Sequence, residues 1–146
     1  MSRSALVERE IHPAALIAEV SSNDSGAVSL FLGTVRDTND GRPVEGIEYS
    51  AYRGMAEGEM ARIVAEAGER FGVGSLVVEH RLGTLGLGDV SVGIAAAHAH
   101  RAQSLDAVRY VIEEIKKRVP IWKLEHYADG TRSWVDPTAL HAEVQP

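Results

Sequence analysis

RAQSLDAVRYVIEEIKKRVPIWKLEHY, residues 101–127, contains the clearest indication of fold class, because a helical pattern changes to a strand pattern within it. Four apolar residues recur there at helical spacing and predict an amphipathic helix from about Arg101 to Val119: Leu105, Val108, Ile112 and Ile115. Pro120 ends this helix, since proline cannot donate the next backbone hydrogen bond. Residues 121–127 then indicate a strand, so helices and strands alternate closely along the chain.

The elements on either side of this stretch complete an α+β order. Further helices are predicted from Pro13 to Val20 and over residues 60–71. Strands are predicted over residues 27–36, 44–52, 76–82, 90–94, 121–127 and 131–136. The order helix, strand, strand, helix, strand, strand, helix, strand, strand predicts a mixed sheet with helical crossovers and hairpins. One domain is expected over residues 1–146, with residues 137–146 as a loose C-terminal tail.

Residues 37–43, DTNDGRP, contain no apolar side chain. Such a composition between two strands predicts a mobile loop, with a lid over a neighbouring site as one use. A tight turn is predicted instead at Asp129 and Gly130, where it joins the last two strands into a hairpin.

Composition and charge exclude several classes of function. The 146 residues include no cysteine, which rules out disulfides, thiolate nucleophiles and cysteine-ligated metals. The formal net charge is −6, so the chain as a whole repels polyanions and nucleic-acid binding is not expected. No apolar run approaches the ~20 residues that span a bilayer, and no signal-type segment follows the N-terminus. A cytoplasmic protein without a membrane segment is therefore expected.

Two motifs resemble cofactor sites but lack part of the pattern that such sites need. Residues 83–88, GTLGLG, look like a phosphate-binding loop but lead into a strand rather than into a helix N-terminus. His98 and His100 lie two positions apart and could hold a metal ion, although no third ligand accompanies them. A metal-dependent hydrolase is one alternative; the other is that His100 and Arg101 face an anion at the start of the long helix. No metal or other cofactor is expected.

The end of the long helix separates one lysine from its basic neighbours. Two i,i+4 ion pairs account for those neighbours: Glu113 with Lys117, and Glu114 with Arg118. Lys116 instead has Ile112, a member of the apolar stripe, four positions earlier, so its stem lies along hydrophobic surface. Partial desolvation of this ammonium would lower its pKa and make it a competent proton donor, acceptor or nucleophile. Extension of the side chain into water is the alternative.

Further cations lie at the ends of predicted elements. Lys123 is on the strand after Pro120, a few residues from Lys116, and Arg36 ends a strand beside residues 37–43. In an acidic protein, five such groups together indicate an anion pocket: Arg36, His100, Arg101, Lys116 and Lys123. The residues themselves therefore predict a small phosphorylated or carboxylated ligand, without naming a reaction.

Several blocks of sequence also resemble one enzyme family. They occur in order from about Val28 to Val135: FLGTVR (31–36), YSAYRGMA (49–56), HRLG (80–83), HR (100–101), KKRVPIWKLE (116–125), DG (129–130) and WV (134–135). The most specific block combines Lys116, Pro120, Trp122, Lys123 and Glu125. On these residues, the chain resembles the large, catalytic subunit of molybdopterin synthase.

The resemblance implies an enzyme of molybdenum cofactor biosynthesis that has no bound cofactor of its own. Such a subunit transfers sulfur to cyclic pyranopterin monophosphate and installs the dithiolene of molybdopterin. The sulfur comes from the C-terminal thiocarboxylate of a small ubiquitin-like subunit, whose tail enters a pocket of the large one. The implied assembly is a heterotetramer, in which a dimer of large subunits carries one small subunit at each end. The implied fold is a mixed α+β fold of the hammerhead type.

Roles for individual residues follow from the same resemblance. Lys116 and Lys123 correspond to two essential lysines and are the expected catalytic residues. The expected substrate-binding set contains both lysines and seven further residues: Thr34, Val35, Arg36, His100, Arg101, Leu124 and Glu125. Family members can contribute an arginine from the C-terminal region to a neighbouring subunit. Four residues after Trp134 this chain has Thr138, and Arg132 is the candidate substitute.

One alternative keeps the fold without the reaction, namely a noncatalytic dimeric module that docks a ubiquitin-like tail or an anionic metabolite. Such a module needs the cations for binding but does not need a lysine of lowered pKa. A variant of Lys116 that separates turnover from binding therefore distinguishes the two hypotheses.

Overall fold

The computed structural model describes residues 2–135, which form three helices and nine strands. The helices are α1 (Pro13–Val20), α2 (Arg53–Phe71) and α3 (Arg101–Arg118). The strands are β1 (Ser2–Val7), β2 (Ala27–Thr34), β3 (Thr38–Asn39), β4 (Arg42–Ala51), β5 (Ser75–Arg81), β6 (Gly83–Gly86), β7 (Val90–His98), β8 (Ile121–Tyr127) and β9 (Arg132–Val135). The predicted α+β class is confirmed, and the tail predicted at residues 137–146 lies outside the described residues. None of the three helices is long and apolar enough to cross a membrane.

Two sheets contain these strands. The first has the order β1-β5-β7-β2, in which β1 runs parallel to β5 and the other neighbours are antiparallel. The second has the order β3-β4-β8-β9, with β6 also paired to β4, and all of its pairs are antiparallel. Helix α2 carries the chain from the second sheet to the first, and α3 carries it back. The end of α3 and the start of β8 therefore lie at the junction of the sheets.

Helices cover both faces of the first sheet. Val78 on β5 belongs to the main apolar cluster with α2 and α3, whereas its neighbour Val77 belongs to a second cluster with Leu16 and Val20 of α1. Successive residues of a strand point to opposite faces, so α1 lies on the side of the sheet away from the two long helices. A sheet covered in this way explains why its strands carry apolar residues in both alternating rows.

The structure contains three strands that the sequence pattern did not predict, namely β1, β3 and β6. Strand β1 pairs with β5, where Ser2 lies opposite Leu76, and a local pattern cannot show such a distant pairing. The Arg3 guanidinium also donates to Glu79 on β5 at 2.9 Å, and the Glu79 side chain is only 2% exposed. Backbone pairing with β5 and the ion pair to the buried Glu79 therefore keep β1 in the sheet, although its own sequence is only weakly strand-like.

The prediction of a mobile loop at residues 37–43 is wrong, because this segment forms a hairpin between β3 and the start of β4. Its turn residues, Asp40 (φ 50°) and Gly41 (φ 78°), both adopt the left-handed conformation that favours glycine and aspartate in two-residue hairpin turns. The Arg42 guanidinium lies 3.5 Å from the centre of the Tyr127 ring on β8. The hairpin is thus fixed to the second sheet despite its polar composition.

Leu105, predicted to lie in the buried stripe of the long helix, is 57% exposed. Its neighbour Ser104 is buried instead, and its hydroxyl donates to the Ala96 carbonyl of β7 at 2.8 Å. The same hydroxyl is 2.7 Å from that of Ser29 on β2. A small polar residue that can bond to the sheet thus replaces leucine where the helix meets the sheet.

Candidate active site

A cavity of about 210 Å³ lies between the end of β2, the β3–β4 hairpin, α3 and β8. Five of the predicted site residues line it: Thr34, Arg36, Lys116, Lys123 and Glu125. Helix α3 and strand β8 are separated by two residues, Val119 and Pro120. The two lysines therefore reach one cavity from consecutive elements, as the sequence predicted.

Lys116 combines access to solvent with a lowered pKa. Its side chain lies beside Ile112 along the cavity wall and stays in contact with solvent. Protein nevertheless surrounds much of the ammonium, and this desolvation lowers its pKa; the positive charge of Lys123 lowers it further. Such a lysine releases and regains its proton nearer neutral pH than an ordinary surface lysine does.

The two basic residues that follow on α3 are engaged by carboxylates. Lys117 Nζ lies 3.5 Å from Glu114, not beside Glu113 as predicted. Arg118 also reaches Glu114, at 3.3 Å, and donates to Glu66 on α2 at 2.7 Å. These pairs belong to the helix surface, and neither residue lines the cavity described above.

Glu125 connects Lys123 to the hairpin. Its nearly inaccessible carboxylate accepts hydrogen bonds from Tyr127 Oη at 2.5 Å and Asn39 Nδ2 at 2.7 Å, and lies 3.2 Å from Lys123 Nζ. Burial raises the pKa of this carboxyl, but the Tyr127 hydrogen bond, the Lys123 charge and the Asn39 hydrogen bond together bring it below its usual value. The ionised carboxylate fixes the position of the Lys123 ammonium.

The segment after β2 presents Arg36 to the cavity. Within residues 2–135, Arg36 has no hydrogen bond or ion pair, so its guanidinium is free to meet a ligand. Val35 anchors this segment to the fold. Its side chain is buried, its backbone N–H donates to the Asp89 carbonyl at 3.0 Å, and its own carbonyl accepts from the Gly88 N–H at 2.8 Å. These bonds hold Thr34 and Arg36 in place on either side of it.

Besides Val35, which does not itself line the cavity, three predicted site residues lie away from it. Leu124 is buried on the face of β8 opposite Lys123, because side chains alternate along a strand. His100 and Arg101 are exposed at the beginning of α3, and Lys116 lies fifteen positions after Arg101 along the helix. At 1.5 Å per residue this is about 22 Å, so a single chain does not bring the predicted five cations together.

His98 has a structural contact at the start of α3. Its Nδ1 accepts a hydrogen bond from the backbone N–H of His100 at 2.9 Å. Among residues 2–135, no group of three or more His, Asp or Glu side chains is placed to hold a metal ion. The spacing of the two histidines is accounted for by this turn into the helix.

Asn39 and His80 are the residues at or beside the cavity that bear most on its chemistry without having been predicted as site residues. Asn39 enters it because the turn at Asp40 and Gly41 folds the hairpin toward Glu125, and this Asn-Asp-Gly sequence was the available signal. His80 on β5 is buried behind Lys116, with its ring 5.1 Å from that of Tyr49. Burial lowers the pKa of His80 to about 4; its hydrogen bond to the Arg81 carbonyl opposes the shift, and the Lys116 charge adds to it.

This buried histidine predicts an acid sensitivity of the fold. The pKa of His80 is about 4 in the folded chain against 6.5 ordinarily, so the unfolded chain binds more protons between these values and stability falls as the pH falls. From pH 7 to 5 the loss is roughly 2 kcal/mol. The free energy of unfolding of wild type and of His80→Gln is measured in urea at pH 7 and at pH 5. The difference between the two proteins should be about 2 kcal/mol smaller at pH 5, because only wild type loses the contribution of the neutral histidine. A gap that is independent of pH would contradict this assignment.

Comparison with known proteins agrees with this architecture. The family model described as MoaE protein matches residues 6–118. The molybdopterin synthase catalytic subunit of Thermoplasma volcanium is 41% identical, over 88% of this chain and 94% of that protein. The corresponding subunit of Halalkalibacterium halodurans is 42% identical, over 91% of this chain and 85% of that protein. The crystal structure of molybdopterin synthase from Staphylococcus aureus superimposes with a TM-score of 0.83 and 35% identity, covering 89% of this chain and 94% of that one. The chain therefore belongs to the MoaE family, as do the catalytic subunits of molybdopterin synthase that it resembles.

Proposed function

We propose that this chain is the catalytic subunit of a cytoplasmic molybdopterin synthase and that residues 1–146 act as one catalytic domain. Its substrates are cyclic pyranopterin monophosphate and the thiocarboxylated C-terminus of a small ubiquitin-like subunit, called the carrier below. The observation that carries the proposal is the convergence of Lys116 and Lys123 on one cavity beside Arg36, which has no partner within residues 2–135. A local group of cations in a chain of net charge −6 suits an anionic substrate and an anionic tail.

The two lysines are suited to different steps of sulfur transfer. The thiocarboxylate sulfur bonds to a carbon of the pterin substrate as a carbon–oxygen bond at that carbon breaks. The oxygen takes a proton and leaves as water, or it stays on the phosphate as the cyclic ester opens. Water then adds to the carrier's carbonyl carbon, and the carbon–sulfur bond to the carrier breaks. The carrier leaves as a carboxylate, and the sulfur stays on the product. Lys123 is held beside the Glu125 carboxylate at 3.2 Å, and its ammonium stabilises the oxyanion formed when water adds. Lys116, whose pKa is lowered, moves the protons.

Arg36 is assigned to substrate binding, because a guanidinium makes paired contacts with phosphate. Arg36→Ala is expected to raise the apparent KM about 10-fold or more with little change in kcat. Arg109→Ala is the matched control, since Arg109 pairs with Glu113 on the surface of α3 at 3.0 Å. Steady-state kinetics with saturating carrier measure both constants, and a fall in kcat alone would refute the assignment.

His100 and Arg101 belong in the proposal through a second copy of the chain. Strand β2 is an edge of the first sheet: its Ala27 end pairs with His98, near these two residues, and its Thr34 end lines the cavity. Antiparallel pairing of two β2 edges about a twofold axis places the Ala27 end of one copy beside the Thr34 end of the other. We assign His100 and Arg101 of each copy to the cavity of the other copy in a dimer.

A reconstituted reaction tests the function. The purified chain is mixed with cyclic pyranopterin monophosphate and with a carrier that ends either in a thiocarboxylate or in an ordinary carboxylate. Both carriers are expected to bind, and only the thiocarboxylate is expected to yield molybdopterin. Binding of both carriers without product from either would favour the noncatalytic docking module.

A further inference from the structure

A narrow crevice lies behind Lys116, between β4, β5, the end of α3 and the start of β8. Its walls are Tyr49, His80, Ile115, Lys116, Val119 and Ile121. Lys116 lines this crevice as well as the main cavity, so its side chain forms part of the partition between them. His80 is the crevice residue with a nitrogen acceptor, and the proposed catalytic sequence gives it no part.

The bonding of the His80 ring identifies its tautomer. Nδ1 lies 2.9 Å from the carbonyl oxygen of Arg81, and a carbonyl can only accept, so Nδ1 carries the proton. In the neutral ring, Nε2 then has a lone pair. Nε2 has no partner among residues 2–135 and is not sealed from solvent, unlike the buried and unpaired Nε2 of His126. This acceptor therefore opens onto the crevice that Lys116 lines.

The ring is set in place from several elements. The Tyr49 ring on β4 meets it edge to face at 5.1 Å, and Leu6 on β1 and Val92 on β7 are its neighbours in the sheet. The charged group acting on it is Lys116 on α3. A ring that is neutral at pH 7, packed from several sides and with one open acceptor, is suited to receive a hydrogen bond from that ammonium.

We propose that His80 is a positioning residue for Lys116: in the conformer that acts in catalysis, the long Lys116 side chain turns its ammonium across the crevice to donate a hydrogen bond to the open His80 Nε2. The bond selects, among the many conformers of a four-carbon side chain, one in which Nζ stays between crevice and cavity. The proton remains on Lys116 until the substrate or carrier takes it. This inference rests on the proposed catalytic role of Lys116, but the contact is expected to form with or without turnover.

Nitrogen NMR of the full chain tests the contact independently of activity. With ¹⁵N-labelled histidine, the His80 Nε2 resonance in wild type should be that of an unprotonated nitrogen accepting a hydrogen bond. Lys116→Met should move it toward an unprotonated nitrogen without a donor, and the neighbouring Lys117→Met should leave it in place. A proton on Nε2, or a resonance unaffected by Lys116→Met, would overturn the proposal even if the chain makes molybdopterin.

Two substitutions separate the two ring nitrogens in the enzyme reaction. The amide of His80→Asn takes the place of Nδ1 and keeps the bond to the Arg81 carbonyl, whereas the amide of His80→Gln reaches the place of Nε2. His80→Asn is expected to lower kcat about 10-fold to 100-fold with KM within about threefold, and to lower the pKa of Lys116 further. His80→Gln is expected to retain most of kcat. Equal losses in both variants, or a greater loss in His80→Gln, would assign His80 a purely structural role.

Discussion

Lys116→Ala is expected to slow molybdopterin formation about 10²-fold to 10⁴-fold, the usual contribution of a positioned acid–base group, while carrier affinity stays within about threefold. The reason is local. Lys116 lines the cavity with a lowered pKa but contributes no hydrogen bond or ion pair that holds the fold together within residues 2–135. Rate and carrier affinity are measured separately, by product formation and by titration calorimetry.

Lys117→Ala is the matched control, because this neighbour occupies the same turn of α3 but faces Glu114 on the surface. It should behave as wild type in both measurements. Parallel loss of turnover and carrier binding in Lys116→Ala would instead support the docking module, in which the lysine only attracts the carrier tail.

The second large effect is expected from mixing two inactive variants. If Arg101 acts in the cavity of the other copy, Arg101→Ala and Lys116→Ala are each impaired alone, yet a mixed dimer contains one intact cavity. That cavity combines Lys116 from the first variant with Arg101 from the second. With random exchange of subunits, about one quarter of all cavities are intact, so activity should recover to about that fraction of wild type.

A site built within one chain would give the opposite result. If Arg101 and Lys116 acted within one chain, every cavity of the mixture would carry one substitution and no activity would return. Mixing Lys116→Ala with Lys123→Ala supplies the control, since both lysines line the same cavity of one chain and the mixed dimer gains no intact site.

The convergence of Lys116 and Lys123 on one cavity could be predicted from the sequence, because the decisive pattern is local. Lys116 has the apolar Ile112 four residues earlier, whereas the two basic residues after it have glutamates at that spacing. Residues four apart are neighbours on a helix surface, so this difference in sequence predicts a difference in environment. Lys123 follows after one proline, so its approach to the same cavity needs no knowledge of distant contacts. The structure places both where the pattern indicated.

The sequence was insufficient wherever distant pairing decides the conformation. The hairpin at residues 37–43 looks like a loop by composition, yet Asn39 bonds to Glu125 and Arg42 stacks on Tyr127. Likewise, the cations at the two ends of α3 are conspicuous in the sequence, but only the length of the helix shows that Arg101 and Lys116 are far apart in one chain. Family resemblance indicates that both matter and leaves open which copy supplies each.

The most direct test of the account is a single-turnover reaction with the chain in excess over cyclic pyranopterin monophosphate and with thiocarboxylated carrier in excess over both. A dithiolene contains two sulfur atoms, so wild type is expected to consume two thiocarboxylates for each molybdopterin formed, and Lys116→Ala to form almost none in the same time. If Lys116→Ala formed product at the wild-type rate, the cavity at the junction of α3 and β8 would not be the site of sulfur transfer.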